Sequence, residues 1–281
     1  MATQGLKGLL IVLALFQLAP TQPPMVANSW TEPSAHLTDF EVIELRRYTV
    51  KDDARASFAE YFEAYFPEAI EQTGAIIAGS FFERNHPNGF TWIRGFHTME
   101  ARATADAAFY YGPVWREHRK TMNDLLTDSD NVLQLRPLSP ERGVTILPAV
   151  DPLAEPDGGS GIVVAFICPI KANSVEAFAK QAEGTFANFR AAGAREAGVL
   201  VTLDATNNFP QLPIRTDTPY LVWLGLLRDN ETLEREMTPV VKNSIPSLTA
   251  TGLLRDAPEF VVLDPTPRSR LRWLPQQVPA E

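Results

Sequence analysis

The feature that most restricts the fold of this chain is a repeat: one succession of predicted elements runs through it twice. Residues 40–50 (FEVIELRRYTV) alternate as a strand. From Asp53 onward Phe58, Tyr61, Phe62, Tyr65, Phe66, Ala69 and Ile70 recur at helical spacing, with Pro67 expected to kink or shorten the helix. Gly74 stops it. Residues 75–83 and 90–97 read as strands across the turn NHPNG, 101–126 as helix broken near Gly112-Pro113, and 131–136 as a closing strand. After residue 160 the order returns, with a strand at 161–168, a helix from Asn173 to about Ala192, strands at 196–204 and 218–227, a helix at 229–250 and a strand at 259–263. Asn173-Ser174-Val175-Glu176 reads as a capping box for the second unit's first helix. Phe58 falls on Phe178 at an offset of 120, Gly79 on Gly198 at 119 and Pro113-Val114 on Pro239-Val240 at 126. The offset changes where the second unit carries a longer hairpin loop, 207–218, which is the behaviour of a duplicated sequence.

Each βαββαβ unit makes a four-stranded antiparallel sheet with both helices on one face, leaving the other face to be covered. Two units in one chain supply the cover. The expected fold class is therefore α+β, two tandem ferredoxin-like βαββαβ units forming an intramolecular α+β barrel. The units span 38–138 and 161–267, with a Pro/Gly linker at 139–160 and a C-terminal tail at 268–281. The linker holds Pro140, Pro148, Pro152 and Pro156, then Gly158 and Gly159, and reads as a hinge. In the tail, Arg268, Arg270 and Arg272 make a local basic patch, and Leu271 and Trp273 are expected to pack against the barrel.

Ahead of the first unit, Lys7 is the one charge in the first 31 residues, and GLLIVLALFQLA (8–19) is an almost unbroken apolar run of twelve ended by Pro20. That run is too short for a stable membrane anchor and has the size of a signal peptide, so 1–29 is read as a leader and export to the periplasm or outside as the expected localisation; a start at Met25 would make the protein cytoplasmic. Lys+Arg 25 against Asp+Glu 34 gives a formal charge of −9, which argues against nucleic-acid binding. Cys168, the one cysteine, rules out an intramolecular disulfide and reads as a small core residue. His36, His86, His97 and His118 lack metal-site spacing, and neither a phosphate-binding loop nor a nucleophile elbow is present, so no metal and no cofactor is expected.

Several short words stand in order across the first unit: Glu44-Leu45-Arg46-Arg47-Tyr48-Thr49 on the first strand, 92–97 on the third, Glu100-Ala101-Arg102 opening the second helix, Trp115 within it, and Leu135-Arg136-Pro137-Leu138-Ser139-Pro140 at the close. Together they resemble the NIPSNAP family, well over 40–140 and by pattern alone over 161–270. The resemblance implies a fold of the dimeric α+β barrel superfamily. That superfamily includes cofactor-independent monooxygenases, haem-degrading enzymes and binding proteins, and fold alone does not choose among them.

Period two puts Glu44, Arg46 and Tyr48 on one strand face and Ile43 and Leu45 on the other. The apolar face is expected to meet the helices, which sends Glu44 and Arg46 to the far side, either as an ion pair fixing the two sheets together or as part of a site. The offset of 120 replaces that triplet by Val164, Phe166 and Cys168, so any site belongs to the first half. Glu44, Arg46, Tyr48, Trp92, Arg94, Tyr111 and Trp115 are the candidate ligand-binding residues, and His97 and His118 the candidate catalytic groups, as proton shuttle or haem ligand. The alternative for the aromatic residues is plain core. The expected function is binding of a small hydrophobic or aromatic molecule, or service as an interaction module. The other reading is a cofactor-independent monooxygenase or isomerase, and the expected assembly is a monomer with a pseudo-dimeric barrel or a higher oligomer.

Overall fold

Strand-forming runs rich in Val, Ile, Leu and Phe build eight antiparallel strands in the computed structural model, which describes residues 40–274. The leader at 1–29, His36 and the last residues of the tail lie outside the described residues. The first half is β1 (Val42–Val50), α1 (Arg55–Tyr65), α2 (Pro67–Glu71), β2 (Ile76–Glu83), β3 (Gly89–Phe96), α3 (Met99–Tyr110), α4 (Pro113–Leu125) and β4 (Leu126–Pro137). Pro67 and Pro113 each occupy a first helical position, where the missing N–H costs nothing, so each expected helix becomes two. The second half is β5 (Ile162–Pro169), α5 (Val175–Ala191), β6 (Arg195–Thr202), β7 (Tyr220–Leu227), α6 (Thr238–Ala250) and β8 (Glu259–Pro265), with a π-helical turn, Thr232–Met237, leading into α6.

The strands close into a barrel in the order β1-β3-β2-β8-β5-β7-β6-β4. Each half contributes four neighbouring strands. The seams are β2 with β8 (Phe81↔Pro265, Phe82↔Asp264, Glu83↔Leu263) and β4 with β6 (Leu135↔Thr202, Arg136↔Val201, Pro137↔Leu200). Gly79 and Gly198, the glycines aligned by the repeat, sit at equivalent register shifts against β3 and β7. At Gly79 a Cβ would come 2.4 Å from the Phe81 ring and 2.7 Å from Ser269 Oγ, so the bulge needs a residue without one.

Closure reverses one expectation. Ile43 and Leu45 point into the barrel with Ile93, Leu133, Leu135, Val163, Val222 and Leu263, whereas Val42, Tyr48 and Val50 face the helices with Phe58, Phe62, Phe90, Trp92 and Phe109. Glu44 and Arg46 are thus on the helix side, not between the two sheets. In a closed barrel both sheet faces are desolvated. The lumen takes a largely apolar set, with Arg47, Glu83 and Thr91 hydrogen-bonded to one another at one end, while the helix layer supplies a partner for Glu44.

The linker and tail stopper the barrel. Val144 joins the interior cluster, Thr145 N donates to Ala197 O, and Leu271 is fully buried in the same cluster with Trp273 packed on it. The glycines expected to form a hinge are held: Gly159 N donates to Pro267 O, and at Gly161, with φ +77°, a Cβ would lie 2.3 Å from Trp273 Cβ. The tail arginines each meet an acid: Arg268 pairs with Glu68 at the exposed surface, Arg270 with half-buried Glu71, and buried Arg272 with Glu155. The expected capping box is also absent: Asn173 adopts φ +61°, and α5 begins after Ser174 with no side-chain cap, because the left-handed turn moves the helix start past the asparagine. No helix among the described residues is long and apolar enough to cross a membrane.

Candidate functional site

On β1 and β3 the register places Glu44 opposite Arg94 and Arg46 opposite Trp92, all directed at α3. Helix α3 presents Arg102 and Asp106, one turn apart, to the same space. The result is a cluster of five charged side chains, each no more than 1 % exposed. Glu44 is its hub. Its Oε2 accepts from Arg46 Nη1 at 2.6 Å and Arg94 Nε at 2.7 Å, and its Oε1 from Arg102 Nε at 2.6 Å. Burial alone would raise the Glu44 carboxyl, but Arg94, Arg46 and Arg102 overcome it and hold the group far below the usual carboxylate range. Arg94 Nη1 lies 2.9 Å from Asp106 Oδ1, but the two are misaligned, and neither Asp106 oxygen has a hydrogen-bond partner. Burial raises the Asp106 pKa, making it the weaker counter-charge.

Beside this cluster is a cavity of about 380 Å³. Phe58, Phe62 and Phe66 of the α1–α2 region, Trp92 of β3, and Phe109, Tyr110 and Trp115 of α3 and α4 form its aromatic walls. These rings pack edge to face, Phe62 with Trp92 at 5.2 Å and Tyr110 with Trp115 at 5.0 Å. Arg46 reaches the cavity from the charge cluster. Its Nε donates to Tyr48 Oη at 2.9 Å and its Nη1 to Glu44, while no hydrogen bond engages Nη2 among the described residues. Trp92 Nε1 is buried and likewise unpartnered.

The far wall comes from the second half. The long β6–β7 loop crosses to α3: Asn207 and Asn208 accept from Arg102 Nη1 at 3.1 and 2.9 Å, and Asn208 Nδ2 donates to Met99 O at 2.6 Å. Phe209 meets the rings of Tyr110 and Tyr111, and Gln211 Nε2 donates to Tyr111 Oη at 2.8 Å. Phe209, Gln211, Leu212 and Pro213 all line the cavity. The equivalent turn of the first half, between β2 and β3, is too short to return the favour. The second half has also filled its own space under the helices: Phe166, Phe178, Phe186, Phe189 and Trp223 are each fully buried in one apolar cluster, and Gly225 stands opposite Val164 where Arg94 stands opposite Glu44.

Of the residues singled out by sequence, Arg46, Tyr48, Trp92, Tyr111 and Trp115 line the cavity, and Glu44 and Arg94 lie behind Arg46 in the charge cluster. The two histidines lie elsewhere. His118 is half-buried between α4 and α1, with Nδ1 2.7 Å from Tyr61 Oη and its ring stacked on Tyr65; His97 is exposed and stacked on Phe40. Neither lines the cavity, because α4 turns residue 118 away from the face shared by Trp115 and Arg119, and His97 falls just past the end of β3. Arg102, Asp106, Tyr110 and the loop residues went unread as site residues. The i, i+4 pair Arg102/Asp106 in an alanine-rich helix was a usable signal, and so was the length of the 207–218 loop. No group of three or more metal-ligating side chains occurs among the described residues.

Closed strand order, two tandem four-stranded halves and helices on the outside decide the architecture. The fold is that of the dimeric α+β barrels. The chain is similar, over about four fifths of its length, to an anthrone oxidase-like protein (10 % identity, 81 % of this chain and 92 % of that one, TM-score 0.51). It is also similar to a candidate monooxygenase from Fusobacterium nucleatum (10 % identity, 84 % and 96 %, TM-score 0.50). Over a little more than a third of its length it is also similar to a NIPSNAP family protein of unknown function from Agrobacterium tumefaciens (23 % identity, 38 % of this chain and 97 % of that one, TM-score 0.34). No protein-family model and no curated protein matches the sequence.

Proposed function

We propose that the first half of this barrel binds a small, largely aromatic molecule in the cavity between its sheet and helices, and that the second half serves as scaffold and cover. The observation that carries this reading is the asymmetry of the two halves. Where the second half fills the space with Phe166, Phe186, Phe189 and Trp223, the first leaves about 380 Å³ walled by rings, a volume within the range of about 300–1,000 Å³ typical of small-molecule sites. No carboxylate, histidine or cysteine lines the cavity among the described residues, which leaves tyrosine hydroxyls as its proton-transfer groups; burial pushes the Tyr110 hydroxyl well up, away from the range of a general base, and this favours binding over proton abstraction.

The test is native mass spectrometry of the purified protein for a retained small molecule, together with titration of planar aromatic compounds followed by the fluorescence of Trp92 and Trp115. Saturable quenching that disappears when the cavity is filled by Leu212→Trp supports the reading. A protein that carries no ligand and whose fluorescence responds to none of the compounds overturns it.

A further inference from the structure

Charge balance around the cavity says more about its occupant. Three guanidinium groups, Arg46, Arg94 and Arg102, face two carboxylates, Glu44 and Asp106, and all five are buried to within 1 % exposure. The imbalance of one positive charge is not spread evenly. Arg94 and Arg102 lie between both carboxylates, whereas Arg46 has only a share of Glu44 and a neutral phenol, Tyr48. Arg46 is also the member of the cluster that reaches the cavity. A buried cation that only shares a counter-charge is costly unless something supplies the missing anion.

The lining carries that bias forward. It contains Arg46 and Arg119 and, among the described residues, no acidic side chain. One donor sits there with capacity to spare: Arg46 Nη2, which no hydrogen bond engages among the described residues. The other polar groups are hydroxyls and amides of Tyr48, Tyr110, Tyr111, Asn123, Ser129 and Gln211, which tolerate either charge state.

We infer that the occupant is an aromatic molecule bearing one anionic oxygen group, a phenolate or carboxylate, whose ring lies among the phenylalanine and tryptophan walls and whose oxygen is the missing counter-ion of Arg46. The inference rests on the binding function proposed above and adds the sign of the ligand's charge. The cavity thereby selects the deprotonated form of a weakly acidic aromatic compound and lowers the pKa of that compound on binding.

A matched pair of probes tests it on the intact protein: para-nitrophenol, and para-nitroanisole, which has the same ring but cannot ionise. Titrated at a pH below the free pKa of the phenol, bound para-nitrophenol is expected to show its yellow phenolate band and to bind at least tenfold more tightly than para-nitroanisole. Arg46→Gln is expected to abolish the band. Because that substitution lies in the buried cluster, its fold is checked by circular dichroism, and the exposed Arg119→Gln provides a second variant, expected to weaken para-nitrophenol several-fold and para-nitroanisole not at all. If both probes bind equally and the phenol stays protonated, the inference falls and the binding function stands. If neither binds, both fall.

Discussion

Replacing Glu44 by Gln keeps the shape of the hub and removes its charge, and the structure sets the size of the effect. Glu44 accepts three charge-assisted hydrogen bonds of 2.6–2.7 Å from three arginines and is itself fully buried. Without it, three buried guanidinium groups face Asp106 alone, whose oxygens are poorly aligned with them. Removing one partner of a buried ion pair costs about 3–5 kcal/mol. At roughly 2–4 °C per kcal/mol for domains of 150–250 residues, the thermal midpoint of Glu44→Gln should fall by about 6–20 °C. The wild type carries a matching pH signature. Its Glu44 pKa is far lower folded than unfolded, so the carboxylate's contribution is complete above the ordinary value of 4.5 and drains away as the pH drops below it. Urea unfolding of both proteins between pH 7 and pH 3 measures this: the gap between them should be widest at neutral pH and narrow on acidification. A gap under 1 kcal/mol at pH 7, or one that does not change with pH, would refute the view that Glu44 holds the three arginines together.

Four further outcomes follow from the geometry. His118→Ala should leave aromatic-ligand affinity within about twofold of wild type in the fluorescence titration, because His118 lies outside the cavity; a tenfold loss would restore it to the site. Phe209→Ala removes the ring that ties the β6–β7 loop to Tyr110 and Tyr111, and stopped-flow should record ligand dissociation about tenfold faster, with limited proteolysis newly cutting within 203–219. Cys168 is fully buried and burial pushes its thiol pKa well up, so a disulfide reagent should leave it unmodified in the native protein and label it stoichiometrically in denaturant. Exchanging Glu44, Arg46, Arg94, Arg102 and Asp106 together for apolar residues of the kind the second half carries should regain most of the stability lost by Glu44→Gln while eliminating anion binding; denaturation and calorimetric titration read the two effects separately.

Much of this architecture was legible because duplication leaves a periodic trace. Matched landmarks such as Phe58 with Phe178 and Gly79 with Gly198 report element order without any knowledge of packing, and Pro67 and Pro113 mark helix starts through local stereochemistry. Which face of β1 looks inward was not legible, because alternation distinguishes the two faces of a strand but not their destinations. A free-standing two-layer sheet would put Ile43 and Leu45 under the helices, and only closure of the barrel reverses it. The site was half legible for a related reason. Arg46, Trp92 and Trp115 stand out as unusual residues on regular elements, but the loop that completes the cavity is contributed from more than a hundred residues away, and its contact with α3 through Asn207, Asn208 and Phe209 exists only once the halves are joined. His97 and His118 drew attention by chemistry alone, and the structure places both outside the cavity.

The covalent linkage of the two halves has a consequence for symmetry. When two identical subunits close such a barrel, every substitution is made twice, so a residue that improves one pocket as a binding site must be tolerated as scaffold in the other. A single chain is released from that constraint. Here Val164, Phe166 and Gly225 could replace their charged counterparts and the 203–219 loop could lengthen without any change at Glu44, Arg46 or Arg94. The molecule thereby trades twofold equivalence for specialisation, with the ring-lined cavity in one half and a filled core in the other, and its two halves can be altered independently.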